Sequence, residues 1–392
     1  MEAIDLLDVV AKGESSTVQF KERVIKGKKS DAYDLAIEMV AFSNSQGGLL
    51  IIGVNDKTGA LNGLSFDEIQ ATNELLVNAA SDNVKSPITI FTEQVSVNEQ
   101  TLIVVRIKEG SDKPYRDNKG VVWVKNGSDK RKVVSNDELL RMLQSSGNLA
   151  ADEEPVVNST YNDIDIDSFK EFLYKKTGKS FDALDQSLPQ VLNNMGFAKD
   201  EKLTLAGLLL FGKKPQAFKP VFSVQCISFV GNDVSGTEFR DSEPPFEGNL
   251  TELYEQTMRF ILRNLHKVQV EESFNILGGL EIPKEALEEL VVNSLIHRDY
   301  FIKSTIKVFI FDNRIEIISP GKLPNTLTVD KIKSGTSIAR NPILFSNARY
   351  LLPYVGIGSG IPRALASYPK IDFLNDTDKE LFKATIHRAL PF

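Results

Sequence analysis

Helical and strand-type hydrophobic patterns alternate along the first third of the chain. The stretch SDAYDLAIEMVAFSNSQGG has apolar residues at helical spacing through Leu35, Met39 and Phe42, and Gly47-Gly48 ends the pattern. The run LLIIGV that follows is typical of a buried strand, and ITIFTEQV and TLIVVRI predict a β-hairpin. GVVWVKNG predicts a further strand, and SNDELLRMLQ predicts a capped helix. Residues 1–147 are therefore predicted to form one mixed domain.

The pattern stops once and then resumes in two further parts. Residues 148–163 are polar and aperiodic, which predicts an inter-domain linker. Residues 164–274 predict a middle α/β segment with helices over DSFKEFLYKKTG, SLPQVLNNMGF and LTLAGLLLFG and a strand over VFSVQCISFVG. Residues 275–392 predict a third domain, with a helix from Pro283 to about Ile296, a hairpin through TIKVFIFDNRIEIIS and a glycine-rich tail. The expected fold class is α/β, of the mixed α+β type.

Charge and cysteine usage restrict the partners and the compartment. The net charge of −7 argues against polyanion binding by the whole molecule, so any nucleic-acid contact must come from a local basic patch. A lone cysteine, Cys226, excludes an internal disulfide framework and fits a reducing compartment. The chain has neither a basic leader nor a run of about 18 apolar residues, so we expect a cytoplasmic protein that has no membrane partner.

Three alternating glycines in YVGIGSGIPRA could cradle a phosphate or only make a turn. Gly356-x-Gly358-x-Gly360 is not the G-x-G-x-x-G pattern of dinucleotide folds. Upstream, Glu289 and Asn293 are four residues apart on a predicted helix and so project from one face. A carboxylate there can orient or deprotonate water while the amide oxygen holds Mg²⁺, although an isolated pair of this kind is more often a solvated helix face.

The order of these pieces resembles the GHKL-type ATPase domain over roughly residues 275 to 390. NSLIHRDY, IEIISPGKLP, RNPIL and GIGSGI follow one another as in the divergent form found in transcriptional regulators labelled RecG-like helicases. The resemblance implies an α/β sandwich that binds ATP with Mg²⁺, with Glu289 as the water-activating residue of a weak ATPase and Asn293 as the Mg²⁺ ligand. No Walker A motif occurs, so helicase activity is not expected.

The resemblance also implies further cofactor contacts. Besides Asn293, these are Ser319, Gly321, Gly356, Gly358 and Gly360. Ser319 stands where the ordinary GHKL box has an aspartate that reads adenine, and a hydroxyl supplies no fixed negative charge. Within His297-Arg298-Asp299, neighbouring helical side chains point about 100° apart and form no acid–base dyad. Either a structural role or a phosphate-adjacent role is expected there, with Arg298 as the ligand contact.

The first domain resembles the Schlafen AlbA domain over roughly residues 13 to 142. ESSTVQFKE, AFSNSQGGLLIIGVNDKTG and VVWVKNGSDKRKV carry this resemblance, which implies a nucleic-acid-binding module that is a metal-dependent nuclease in some relatives. Gln19 replaces the second family glutamate and leaves only Glu14 and Asp56 as acids. Because the lost carboxylate weakens a divalent-cation site, we favour binding over cleavage.

Two basic stretches are the expected nucleic-acid contacts. Tyr115 and Trp123 are interleaved with the second stretch and offer a stacking surface, although both stretches also fit the simpler description of solvated loops. The predicted phosphate contacts are Lys21, Arg23, Lys26, Lys28, Lys29, Lys125, Lys130, Arg131 and Lys132.

The two resemblances on one chain together imply a homo-oligomeric transcriptional regulator that binds DNA or RNA under the control of ATP. One alternative is a metal-dependent nuclease acting on RNA or single-stranded DNA at Glu14 and Asp56. A second alternative is an oligomeric scaffold whose two sites have decayed.

Overall fold

Two compact units make up the chain, and helices and strands are mixed in both. The structure is a computed structural model that describes residues 3–26, 29–30, 32–234, 238–268, 279–324, 327–353 and 358–388. The first unit is Met1–Leu149 and the second is Ala150–Phe392. The predicted fold class, mixed α/β, is confirmed.

A four-stranded sheet with helices on both faces forms the first unit. Its described helices are α1 (Ala3–Lys12), α2 (Ala32–Asn44), α3 (Phe66–Ser81) and α4 (Asn136–Ser145). Its described strands are β1 (Val18–Lys21), β2 (Ile25–Lys26), β3 (Lys29–Ser30), β4 (Gly48–Ile52), β5 (Ile90–Val97), β6 (Gln100–Ile107), β7 (Trp123–Asn126) and β8 (Asp129–Lys132). The sheet has the order β1-β4-β6-β5, with β1 parallel to β4 and the other pairs antiparallel. β2 pairs with β3, and β7 with β8.

Both faces of strand β4 are buried, which explains its continuous apolar run. Leu50 and Ile52 pack in one cluster with Leu35 and Met39 of α2, whereas Ile51 packs on the other face with Leu6 of α1. A strand covered on both faces has no solvated side and therefore needs no polar positions.

The glycine pair between α2 and β4 serves the tight connection predicted from the sequence. Gly47 has φ of +72°, and a Cβ there would lie 2.7 Å from the backbone O of Ile107. A Cβ on Gly48 would lie 2.4 Å from the ring of Phe42. Only glycine fits both positions, for reasons of packing.

A six-stranded mixed sheet organises the second unit. Its described helices are α5 (Ile166–Thr177), α6 (Leu188–Asn194), α7 (Leu205–Phe211), α8 (Pro215–Phe218), α9 (Leu250–Arg263), α10 (Lys284–His297), α11 (Val329–Lys333), α12 (Pro342–Asn347) and α13 (Gly360–Ser367). Its described strands are β9 (Ala198–Lys199), β10 (Lys202–Leu203), β11 (Val224–Phe229), β12 (Phe239–Ser242), β13 (Lys267–Val268), β14 (Gly279–Leu280), β15 (Ile306–Ile310), β16 (Arg314–Pro320), β17 (Ile371–Asp376) and β18 (Leu381–His387). The sheet order is β12-β11-β15-β16-β18-β17, and only the β11–β15 pair is parallel within it. No described helix combines the length and apolarity needed to cross a bilayer.

The second unit does not divide at the expected boundaries. Strand β11, from the predicted middle segment, pairs with β15 of the predicted third domain, with Val224 opposite Ile306. Ala151 and Val156, from the predicted linker, are buried in the same core as this sheet. Residues 148–163 were expected to be a linker, and residues 164–274 and 275–392 were expected to be separate domains. In the structure, residues from all three ranges share one core. Hydrophobic periodicity reports local elements, and it does not reveal which distant strands will pair.

Candidate functional site

A pocket in the second unit collects residues from separate parts of the chain. It is bounded by helix α10, strands β16 and β18 and the start of helix α13. Of the residues predicted for the cofactor site, Glu289, Asn293, Ser319, Gly321, Gly358 and Gly360 line it. Gly356 lies outside the described residues. The folded chain thus places six of the predicted residues around one space.

Glu289 and Asn293 lie one turn apart on α10 and are joined directly. The amide Nδ2 of Asn293 donates to the backbone carbonyl of Glu289 at 2.7 Å and to its carboxylate Oε1 at 2.6 Å. Glu289 is only 6% exposed, so the pair is not a solvated helix face. Because Nδ2 is occupied in this way, the amide oxygen Oδ1 is the atom of Asn293 suited to a Mg²⁺ ion.

The carboxylate of Glu289 packs directly on the first residue of α13. A Cβ added to Gly360 would lie 1.6 Å from Glu289 Oε1, so only glycine permits this approach. The other carboxylate oxygen, Oε2, lies 3.0 Å from Nη2 of Arg363, in the first turn of the same helix. Sequence reasoning missed Arg363. The available signal was its position three residues after Gly360, which places it near the same helix end.

Two other glycines of the pocket have backbone conformations that other residues rarely adopt. Gly358 has φ of +77°, and a Cβ there would lie 2.3 Å from the carbonyl oxygen of Gly335. Gly321 has φ of +101°, and a Cβ there would lie 2.5 Å from Cβ of Asp299 and 2.7 Å from Nη1 of Arg340. Both glycines therefore shape the pocket wall by allowing close approach of neighbouring groups.

Ser319 presents its side-chain oxygen as a hydrogen-bond acceptor. It lies on β16, is buried, and donates its hydroxyl proton to the carbonyl oxygen of Ser294 at 3.2 Å. A hydroxyl that has donated its proton keeps lone pairs for a ligand donor. Ile317, Phe382 and Ala384 line the same pocket and give it apolar surface.

Positive charge predominates among the described residues that line the pocket. Lys322, Arg340 and Arg363 contribute three cations against the single carboxylate of Glu289. Arg340 donates to the carbonyl oxygens of Lys322 at 2.5 Å and His297 at 3.3 Å. Burial, together with the nearby Arg340 charge, lowers the pKa of His297 to about 4, so this imidazole is neutral at pH 7. An anionic ligand fits this balance of charge.

Arg298 is not among the residues that line this pocket, contrary to the prediction that it contacts the ligand. Its guanidinium group is buried and donates to the carbonyl oxygens of Ile302 at 3.2 Å and Ser304 at 2.6 Å. It also lies 4.7 Å from the ring centre of Phe222 and 4.8 Å from that of Tyr300. These contacts hold the turn after α10, which matches the structural alternative.

In the first unit, three of the predicted phosphate-binding lysines are paired with carboxylates. Lys130 Nζ lies 2.5 Å from the buried Glu38 and 3.0 Å from Asp34, and Lys21 Nζ lies 2.6 Å from Asp34. Lys125 Nζ lies 3.7 Å from Glu38. Burial lowers the pKa of Lys125, whereas at Lys130 the effect of burial is outweighed by Glu38 and Asp34, which raise its pKa.

Of the other predicted phosphate contacts with described side chains, two arginines are ion-paired and Lys132 lies near an aromatic ring. Arg23 pairs with Glu68 at 2.8 Å, and Arg131 pairs with Glu138 at 2.7 Å. The ammonium of Lys132 lies 5.3 Å from the ring centre of Trp123. The side chains of Lys26 and Lys29, and all of Lys28, lie outside the described part of the chain. The sequence therefore overstated the free positive charge, because the neutralising acids come from other elements.

The two acids of the nuclease alternative are used differently. The carboxylate of Glu14 accepts hydrogen bonds from the backbone N–H of Phe20 at 2.8 Å and from the amide of Gln19. The Gln19 oxygen in turn accepts from Lys125 Nζ at 2.8 Å. Asp56 is exposed in the turn after β4. Among the described residues, no group of three or more histidine, cysteine or acidic side chains is placed to hold a metal ion.

Comparison with known families yields three matches along the chain. Residues 14–134 match the family described as "Schlafen, AlbA_2". Residues 303–385 match "Putative ATP-dependent DNA helicase recG C-terminal", and residues 140–225 match a domain of unknown function, DUF8451. No curated protein matches the chain.

Two of the solved structures with some similarity come from Corynebacterium diphtheriae and Nitrosomonas europaea. The crystal structure of the DIP2311 protein from Corynebacterium diphtheriae is 20% identical, with 99% of this chain and 80% of that chain covered and a TM-score of 0.46. The NMR structure of the N-terminal domain of a "Putative ATP-dependent DNA Helicase RecG-related Protein" from Nitrosomonas europaea is 24% identical. That match covers 35% of this chain and 96% of that chain, with a TM-score of 0.24. The family matches therefore carry the identification: the chain has a Schlafen AlbA_2 domain, followed by a region of the RecG C-terminal type.

Proposed function

We propose that the protein is a transcriptional regulator that binds DNA or RNA through its Schlafen AlbA_2 domain, under the control of ATP and Mg²⁺ bound in the second unit. Two of the three family matches, Schlafen AlbA_2 and the RecG C-terminal type, suggest a nucleic-acid-related protein. The observation that supports the nucleotide site most strongly is the convergence of six predicted residues on one pocket. In a homo-oligomer, an occupied pocket would bias the arrangement of subunits and so change nucleic-acid affinity.

The lining residues divide into groups that suit the parts of a nucleotide. Ser319 offers an acceptor to the exocyclic amine of adenine, beside the apolar side chains of Ile317 and Phe382. The cationic side chains suit the phosphates, and Asn293 would hold Mg²⁺ through Oδ1. Mg²⁺ at this position would neutralise part of the phosphate charge.

Binding is proposed as the main role of the pocket, with hydrolysis slow at most. Both carboxylate oxygens of Glu289 are engaged, one by Asn293 and the other by Arg363. A carboxylate whose oxygens are held by protein donors is less free to orient an attacking water molecule.

The experiment for this proposal is calorimetric titration of the full chain with ATP and ADP in the presence of Mg²⁺. Wild type should bind, and Asn293→Ala should bind at least about 10-fold more weakly, since it removes a ligand to the ion. Asn194→Ala, at the exposed end of α6, is the matched control and should bind as wild type. In a parallel shift assay, the affinity of the protein for duplex DNA, single-stranded DNA or tRNA should change when ATP is added. Absence of heat with every adenine nucleotide, together with nucleic-acid binding that ignores ATP, would overturn the proposal.

A further inference from the structure

The carboxylate of Glu289 lies against Gly360, the last glycine of the run that could cradle a phosphate. It sits against Gly360 at the start of α13, so close that no side chain could be added there. The N-terminal end of a helix favours negative charge, because its first N–H groups lack partners within the helix. The N-cap residue Ser359 makes no side-chain capping hydrogen bond. The helix therefore has an internal anion supplied by α10.

Arg363 is the cation that balances this internal anion. Its guanidinium group lies 3.0 Å from Glu289, and its side chain is 52% exposed whereas that of Glu289 is 7% exposed. A half-exposed arginine can change rotamer at low cost, but a buried carboxylate on a packed helix cannot move far. Of the two partners, Arg363 is the one able to move towards a ligand.

Two anions cannot share this position without strong repulsion. Like charges a few ångströms apart in a partly buried site destabilise each other, and only a cation or protonation relieves them. A phosphate entering beside Gly360 would face Glu289 directly, and Arg363 is the protein cation already paired with that carboxylate.

We propose that a terminal phosphate of the nucleotide competes with Glu289 for Arg363, so that ligand binding exchanges one ion pair for another. This inference rests on the proposed function and adds to it a residue and a regulatory step. Without ligand, Arg363 neutralises the charge of Glu289 and occupies its Oε2. With ligand, Arg363 binds phosphate, and Glu289 keeps the hydrogen bond from Asn293 to its Oε1.

A double-mutant cycle tests the exchange, with MgATP affinity measured by calorimetry in wild type, Glu289→Gln, Arg363→Gln and the double variant. Glu289→Gln keeps the acceptor for Asn293 but removes the competing charge, so affinity should rise by about 3- to 10-fold. Arg363→Gln should lower affinity by about 5- to 10-fold, since it removes a charge-assisted hydrogen bond. Arg363→Gln should also lower affinity in the Glu289→Gln background.

Matched controls and opposite outcomes separate this inference from the proposed function. Glu288→Gln, on the same helix, and Arg349→Gln, which contacts Tyr350, replace residues outside the pocket lining and should leave affinity unchanged. If Arg363 only supports Glu289, Arg363→Gln will have no effect in the Glu289→Gln background, and the exchange is refuted. Weaker binding by Glu289→Gln also refutes it. Both results leave the proposed function standing, whereas no binding by wild type overturns the proposed function itself.

Discussion

Asp152 lies buried in the second unit, where its negative charge opposes folding. Its Oδ2 accepts the N–H of Leu344 at 2.9 Å, and its Oδ1 has no hydrogen-bond partner within the described part of the chain. Burial raises the pKa of Asp152 from 3.8 to about 6, although backbone N–H groups of Leu344 and Ile343 partly oppose the shift and the charge of Glu153 adds to it.

The raised pKa fixes the sign of a pH effect on stability. The folded state holds the proton of Asp152 more tightly than the unfolded state does. The stabilisation from protonated Asp152 is therefore complete below pH 4 and is lost as the pH rises through 6. A shift of about two units corresponds to about 3 kcal/mol, of which about 1 kcal/mol is lost between pH 5 and pH 7. Asp152→Asn keeps an acceptor for the Leu344 N–H and cannot ionise. The free energy of unfolding of the variant, relative to that of wild type, should therefore rise by about 1 kcal/mol from pH 5 to pH 7.

Urea unfolding of the full chain at pH 5, 6 and 7 measures this difference. The single tryptophan, Trp123, is in the first unit, so its fluorescence follows that unit, and far-ultraviolet circular dichroism follows both. The gain in unfolding free energy should appear only in the transition of the second unit, which circular dichroism follows and tryptophan fluorescence does not. Asp182→Asn, whose side chain is 84% exposed, is the matched control and should show no such trend. A difference between Asp152→Asn and wild type that stays constant or shrinks from pH 5 to pH 7 would refute the reasoning.

Three further predictions follow from the two sites. Gly360→Ala should lower nucleotide affinity and should destabilise the second unit by about 1–3 kcal/mol in a urea titration, because the added Cβ would overlap the Glu289 carboxylate. Adding Glu289→Ala should restore most of the lost stability, and a double variant without recovery would contradict the proposed overlap. In a shift assay, Lys132→Ala should reduce the slope of log affinity for nucleic acid against log salt concentration by about one counterion. Arg131→Ala removes a cation that is already ion-paired with Glu138 and should reduce this slope less, so equal slopes for the two variants would contradict the prediction. Labelled tRNA and single-stranded DNA should stay intact with Mn²⁺, because Gln19 stands in place of the second acid of the nuclease pattern and donates to the Glu14 carboxylate. Products that disappear in Glu14→Ala would establish the nuclease alternative.

The local elements of the candidate site could be predicted from the sequence. Helix α10 was expected from Pro283 to about Ile296 and runs over Lys284–His297, because its apolar residues repeat at helical spacing. The hairpin of β15 and β16 follows in the same way from alternating apolar residues. The four-residue spacing of Glu289 and Asn293 also determines that they share a face, whatever the rest of the fold does.

The partners of these residues were decided by the tertiary structure. Glu289 meets Arg363, 74 residues away, and Lys130 meets Glu38, 92 residues away. Such contacts depend on which helices and strands pack together, and neither periodicity nor capping carries that information. The sequence by itself therefore determined the helices, the strands and the chemical types of the candidate residues, since these depend on neighbours along the chain. Only the folded chain decided which charges are neutralised and which remain for a ligand, since electrostatic pairing acts over a few ångströms in space and is indifferent to separation along the chain.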